Sequence, residues 1–215
     1  MRWAWESYAP DIVASSSFQT QSVPLLHIIS RVCPEMPVIF LDTGYHFPET
    51  LAFRDELKAR FNLNIVVIQP TVTKSESLQR YGEALYRRDP DLCCYINKVS
   101  PMKWAVSWAQ AWVSGVRRDQ TARRRTLRVF DLQADGPLRI HPMLNWTEDD
   151  IRAYREMYDL PVHPLYHLGY VSVGCAPCTR PVFFGEDARA GRWSDSEKTE
   201  CGLHLEWNEP SEEGE

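Results

Sequence analysis

Four of the chain's six cysteines fall in two short stretches. One stretch is GYVSVGCAPCTRP (Gly169–Pro181), in which Cys175 and Cys178 form a CxxC on a Gly/Pro-rich turn. The other is DLCCYINKVSP, with the adjacent pair Cys93 and Cys94. A CxxC on a tight turn aims two thiolates at one point. The adjacent pair, about 80 residues earlier, could close a tetrathiolate with it. Two readings compete, a structural zinc knot and an iron–sulfur cluster, and a bare CxxC favours zinc. The adjacency counts the other way. Two neighbouring cysteines fill two corners of one tetrahedron only with backbone strain, whereas a cluster offers each thiolate its own iron. The spacing therefore favours iron–sulfur.

The remaining two cysteines differ from these and from each other. Cys33 follows an apolar helix and reads as a packed or incidental thiol. Cys201 stands between Glu200 and Gly202, with His204 three residues on, in a polar, Gly-punctuated stretch ending in an acidic run. Such a stretch is expected to pack poorly and to be mobile. Its cysteine reads either as an unpaired surface thiol or as a cycling nucleophile on an arm. Positive charge is concentrated elsewhere: Arg117, Arg118, Arg123, Arg124, Arg125 and Arg128 lie within twelve residues. A solvated surface is the plain reading of that run, and a small anionic ligand is the rival one.

The elements that must position these groups alternate. Asp11–Ala14 reads as a buried strand, followed by the serine-rich turn SSSFQTQS (Ser15–Ser22) and an apolar helix, Val23–Val32. Hydroxyls and free N–H groups at a helix start suit a phosphate, although a plain helix cap uses the same residues. Pro37–Leu41 is a second strand, ending in DTGYHFPET (Asp42–Thr50). Pro48 then opens a helix to about Phe61, and Asn64–Gln69 is a third strand. Strand and helix alternating in this way describe a parallel twisted sheet with right-handed crossovers, hence an α/β fold. Ligands on such sheets bind at the strands' carboxyl ends, where both distinctive loops lie.

Further on, a helix is expected over Pro101–Ala109 and a fourth strand over Ala111–Ser114. Weaker strands are expected at Leu127–Gln133 and Leu138–Pro142, around an Asp135-Gly136 turn. Thr147 with Asp150 marks a helix start, and Ile151, Tyr154 and Tyr158 recur at core spacing. His141, His163 and His167 read as structural. The expected division is an α/β body over 1–185 and a flexible C-terminal segment over 186–215.

Composition bounds the class. The chain has 215 residues, 44% of them apolar and 12% aromatic, enough for one sizeable core. No apolar run approaches the roughly 18 residues of a membrane helix. The N-terminus lacks a basic segment followed by an apolar core, so no signal peptide is expected. A cytoplasmic home is expected, with the cysteines kept as reduced thiols or metal ligands rather than disulfides. A net charge of −5 argues against general nucleic-acid binding.

In their order along the chain, SSSFQTQS, LDTGYHFPET, the CC pair with Lys98, GVRRDQTARR, PLYHLGYVSVGCAPCTRP, GEDARAGRW and ECGLH make a specific set. With them the chain resembles the assimilatory adenylyl-sulfate reductases, the iron–sulfur branch of the sulfonucleotide reductases. That resemblance implies an adenine-nucleotide α-hydrolase-like fold and one [4Fe-4S] cluster on Cys93, Cys94, Cys175 and Cys178. It implies reduction of adenosine 5′-phosphosulfate to sulfite and AMP. By position, Cys201 matches the nucleophile, and Ser15, Ser16 and Ser17 match the loop for the phosphosulfate. Leu41 and Gly44 match residues flanking the adenosine. Lys98, Arg117, Arg118, Arg189, Arg192 and His204 match the lining of the anion site. Two departures stand out: the N-terminal segment common in the family is mostly missing, and extra arginines follow the GVRRDQTARR loop without an assigned purpose.

The implied chemistry has Cys201 take the sulfonate as S-sulfocysteine, and a thioredoxin- or glutaredoxin-type dithiol release sulfite, the cluster carrying no electrons. Three rivals remain. Reduction of the 3′-phosphorylated nucleotide is the nearest, and family members for that substrate usually lack the four cysteines. An ATP pyrophosphatase, such as a tRNA-thiolating enzyme, would carry a Gly-Gly-x-Asp-Ser type loop that SSSFQTQS does not match. A zinc-binding interaction module would leave Cys201 and the arginines unexplained. Oligomeric state is left open, a homo-oligomer included.

Overall fold

Short runs of apolar residues build the centre of the molecule. Because each is apolar at successive positions, both faces of the sheet they form must be covered. The structure is a computed structural model and describes residues 1–133, 136–203 and 207. After α1 (Arg2–Tyr8) come β1 (Ile12–Ser15), α2 (Val23–Val32), β2 (Val38–Leu41), α3 (Pro48–Phe61) and β3 (Ile65–Ile68). Three short helices follow: α4 (Lys74–Tyr81), α5 (Leu85–Arg88) and α6 (Pro90–Cys94). Then come α7 (Ser100–Ala105), β4 (Ala111–Ser114), β5 (Phe130–Asp131), β6 (Leu138–Ile140) and α8 (Glu148–Met157).

The strand order is β3-β2-β1-β4-β6-β5. All neighbours are parallel except β5, which runs antiparallel to β6. Alternate residues of each central strand feed two cores. Ile12, Ala14, Val38, Phe40, Ala111 and Val113 pack with α2 and α3 on one face. Val13, Ile39, Leu41 and Trp112 pack with Met102 and Ala105 of α7 on the other. The chain steps from β1 outward to β3, then returns to place β4 on the opposite side of β1. That reversal opens a crevice between the carboxyl ends of β1 and β4, where such sheets bind ligands.

The alternating α/β reading of the sequence holds, with adjusted ends. The first strand runs one residue later than expected, to Ser15, and the expected helix over Pro101–Ala109 stops at Ala105. Of Leu127–Gln133 only Phe130–Asp131 pairs; Asp135 of the expected turn lies outside the described residues. The capping box of Thr147 and Asp150 is present. Between α6 and α7 the helix widens into a π turn over Tyr95–Val99. Pro101 has no N–H to continue an α-helical ladder there, and the Asn97 side-chain amide donates to the Cys93 carbonyl at 2.8 Å.

Residues 186–203 contain no helix or strand among those described, yet they are tied to the body. Arg180 pairs with Glu186 at 2.8 Å, Thr179 and Arg192 form an antiparallel bridge, and the Trp193 indole is buried. No helix among the described residues is long and apolar enough to cross a membrane.

Candidate active site and thiol pocket

The serine loop leaves β1 at Ser15 and turns sharply. Phe18 takes a left-handed φ of 53° with its side chain fully buried, a costly conformation for a bulky residue. Its N–H donates to the Ser16 hydroxyl at 3.0 Å. Burial of the Phe18 ring thus folds Ser15–Ser17 over the ends of β1 and β4. The Ser15 hydroxyl accepts from the indole N–H of Trp112 at 2.8 Å.

The turn after β2 carries the second loop and meets the CxxC directly. Gly44 has φ +69°, a left-handed conformation that favours glycine. The Asp42 carboxylate accepts from Gly44 N–H at 2.9 Å, and the His46 ring donates to the Leu41 carbonyl at 2.8 Å. His46 bridges Cys175 in antiparallel fashion, and Ala176 N–H donates to the Tyr45 carbonyl at 2.7 Å. The Thr43 hydroxyl lies 3.4 Å from Cys175 Sγ. Gln19, from the serine loop, accepts from Val173 N–H at 3.0 Å. Three motifs far apart in sequence therefore share one corner of the fold.

Cys93, Cys94, Cys175 and Cys178 line one small pocket, closed by Tyr45, Tyr86, Asn97, Lys98 and Trp193. All four are free, and all but Cys178 are buried. Burial pushes the Cys93 thiol up to about 12, helped by Cys94 and Cys175, and the Cys94 thiol up to about 11. Burial would raise Cys175 too, but Lys98, then the Thr43 hydroxyl and Arg192, outweigh it and lower its pKa. No group of three or more His, Cys, Asp or Glu side chains among the described residues is placed to hold a single metal ion. A tetrathiolate zinc, with Zn–S bonds near 2.3 Å, needs its sulfurs within about 4 Å of one another. Four thiols lining one shared pocket are a donor set that a thiolate-held cluster could use.

The larger cleft lies at the β1/β4 crevice and encloses about 1010 Å³, solvent at its mouth included. Ser15, Ser16, Ser17 and Leu41 line it, as do Lys98, Arg189, Arg192 and Cys201. Cys201 is half-buried. Lys98 and Trp193 belong to both the cleft and the thiol pocket, so the two share a wall. Burial alone would depress the Lys98 ammonium, but Cys175, Cys94 and Cys201 together raise its pKa. The Arg192 guanidinium lies 4.4 Å over the Trp193 ring and packs on Gly174, where a Cβ would come within 2.2 Å of it.

Not every arginine expected at the anion site lines the cleft. Arg117 is buried and pairs with Asp119 at 2.9 Å, and it donates to Gln21 at 2.9 Å. Arg118 donates to Asn145 and to the Leu127 carbonyl. Neither lines the cleft, and neither does Gly44. From that loop the cleft receives Gln120 and Arg124, neither of which the sequence reading assigned to the site. His46, Thr50 and Gln19 also line it. His204 lies outside the described residues. His141 and His163 are packed, with burial pushing each down to about 4; they bond Ser114 at 2.9 Å and Thr50 at 2.9 Å respectively.

A parallel sheet with a serine loop at its switch point, beside a cationic cleft, defines an adenine-nucleotide α-hydrolase-like protein. Residues 11–181 match the phosphoadenosine phosphosulfate reductase domain. The chain belongs to that family, the sulfonucleotide reductases. It is 42% identical to the adenosine 5′-phosphosulfate reductase of Streptomyces coelicolor, over 95% of this chain and 86% of the relative. With that of Halalkalibacterium halodurans it shares 41% identity, over 95% and 89%. The crystal structure of a Candida auris phosphoadenylyl-sulfate reductase, a phosphate complex, is similar with a TM-score of 0.71 and 26% identity. That match covers 82% of this chain and 86% of the other.

Proposed function

We propose that this chain reduces adenosine 5′-phosphosulfate to sulfite and AMP with electrons from a protein dithiol, in assimilatory sulfate reduction. One observation carries the reading. Cys201, a free thiol outside the thiol tetrad, faces the same cleft as the Ser15–Ser17 loop and the cations Lys98, Arg189 and Arg192. The names of the relatives support the substrate.

The steps follow from those groups. Serine hydroxyls and loop N–H groups hold the phosphate, with the adenosine along Leu41. Lys98, Arg189 and Arg192 neutralise the sulfonate oxygens, which otherwise repel an anionic nucleophile. Cys201 thiolate attacks the sulfur, an S–S bond forms, and the S–O bond to phosphate breaks with AMP taking the electron pair. A thioredoxin- or glutaredoxin-type thiolate then attacks Cys201 Sγ, and sulfite leaves with the S–S pair. The second thiol of the dithiol frees Cys201 and closes the partner's disulfide, so the dithiol is oxidised as S(VI) becomes S(IV).

Cys93, Cys94, Cys175 and Cys178 would hold one [4Fe-4S] cluster, supplying fixed charge beside Lys98 and no electrons. Free thiols and such a cluster suit a reducing compartment such as the cytoplasm. The test is turnover of adenosine 5′-phosphosulfate and its 3′-phosphorylated analogue by holoenzyme with thioredoxin, following sulfite. Preference for the unphosphorylated nucleotide is expected. Preference for the analogue, or no sulfite from either, contradicts the reading.

A further inference from the structure

The side chain before Cys201 is the most completely engaged carboxylate among the described residues, and the reaction above does not use it. Glu200 is buried. Arg124 grips it with two bonds, Nε to Oε1 and Nη2 to Oε2, each 2.7 Å. The Thr121 hydroxyl donates to Oε1 at 2.7 Å, and Arg189 Nη2 lies 3.8 Å from Oε2. Arg189 also donates to the Thr199 carbonyl at 3.0 Å, so the chain is held on two successive residues. On the other side of Cys201, Gly202 takes φ +84° and lies against Val99, beside Lys98. The nucleophile is therefore fixed between an ion-paired glutamate and a glycine turn.

A planar guanidinium fork on a carboxylate fixes direction as well as distance. Transfer to sulfur needs Cys201 Sγ aligned with the S–O bond that breaks, and small displacements of a nucleophile are costly in rate. The second half-reaction has the opposite requirement. The Cys201–sulfonate bond then points into the cleft, and a protein thiolate must reach Sγ from the side away from the leaving sulfite. A docked arm hinders that approach.

We propose that Glu200, through Arg124, is a positioning residue for Cys201: it latches the arm for sulfur transfer and takes no part in sulfite release. This rests on the reading of the cleft as a sulfonucleotide site. The experiment separates the two half-reactions in holoenzyme. With adenosine 5′-phosphosulfate and no reductant, Glu200→Gln should sulfonate Cys201 at least about tenfold more slowly than the unchanged protein, since a misplaced nucleophile loses that much or more. AMP affinity and iron content should be unchanged. Sulfite release from pre-sulfonated Glu200→Gln by thioredoxin should be as fast as in the unchanged protein, or faster. Arg124→Lys, which keeps charge but loses the fork, and Thr121→Val should show the same split in smaller measure, and serve if Glu200→Gln fails to fold. Sulfonation at the unchanged rate, or both steps slowed alike, overturns the proposal. A readout free of the substrate is alkylation of Cys201 by iodoacetamide, scored by mass spectrometry. Faster labelling in Glu200→Gln supports the latch, and equal labelling overturns it. If the unchanged protein takes no sulfonate while that labelling difference persists, the substrate reading fails and the latch stands.

Discussion

Cys175 and Cys201 carry the same side chain into two environments, and the contrast underlies the proposed division between a ligand and a nucleophile. Cys175 is buried, bonded by Thr43, and held toward thiolate by Lys98 despite its burial. Judged by ionisation alone it would pass for the reactive thiol. Its pocket, however, is lined by three more cysteines and does not include the serine loop. Cys201 is half-exposed, unaccompanied by other thiols in the cleft, and faces the serine loop. Access decides the role, because a metal ligand and a nucleophile both need the thiolate. Lys98 stands in the wall the two pockets share.

The sharpest way to break that comparison is to remove each thiol in turn. Cys201→Ser should lower sulfite production by roughly three orders of magnitude or more, as loss of a covalent nucleophile does. Its iron content and AMP affinity should stay unchanged. Cys175→Ser should lose iron and activity together, measured by metal analysis and the visible band of the cluster. Full activity in an iron-free Cys175→Ser protein would show the two environments to be misassigned. Lys98→Met tests the wall between them with a smaller effect. Removing one positive charge aimed at the transferred group should slow Cys201 sulfonation by about a hundredfold, with iron largely retained. Loss of iron with unchanged sulfonation in the remaining holoenzyme would place Lys98 on the thiol side alone.

The sheet was legible because its strands are short apolar runs bounded by Gly, Pro and Ser, and because Pro48 and Thr147 mark helix starts. The spacing suggested that the four cysteines could meet, and they line one pocket. The cationic lining was only half legible. Arg117 and Arg118 look identical to Arg124 in sequence, but Asp119, Gln21 and Asn145 engage the first two elsewhere. What singles out Arg124 is a carboxylate 76 residues away, a pairing that no local pattern encodes. The π turn was hidden for a similar reason: Pro101 announces a break in the ladder, but the side-chain bond from Asn97 to Cys93 that accommodates it is tertiary. The polar composition of the last segment pointed to a poorly packed arm, whereas Glu200 and Trp193 are buried against the body. The ion pair of Glu200 with Arg124 and the packing of Leu203 and Trp207 on the core beside Trp112 hold it there.

The most direct test of the central claim needs no partner protein. Holoenzyme mixed with adenosine 5′-phosphosulfate in the absence of any reductant should release one AMP per chain and gain one sulfonate, located by mass spectrometry on Cys201. A sulfonate on Cys175, Cys178 or Cys33, or AMP release with no sulfonate on the protein, would contradict the assignment of Cys201 as the thiol that takes the sulfur.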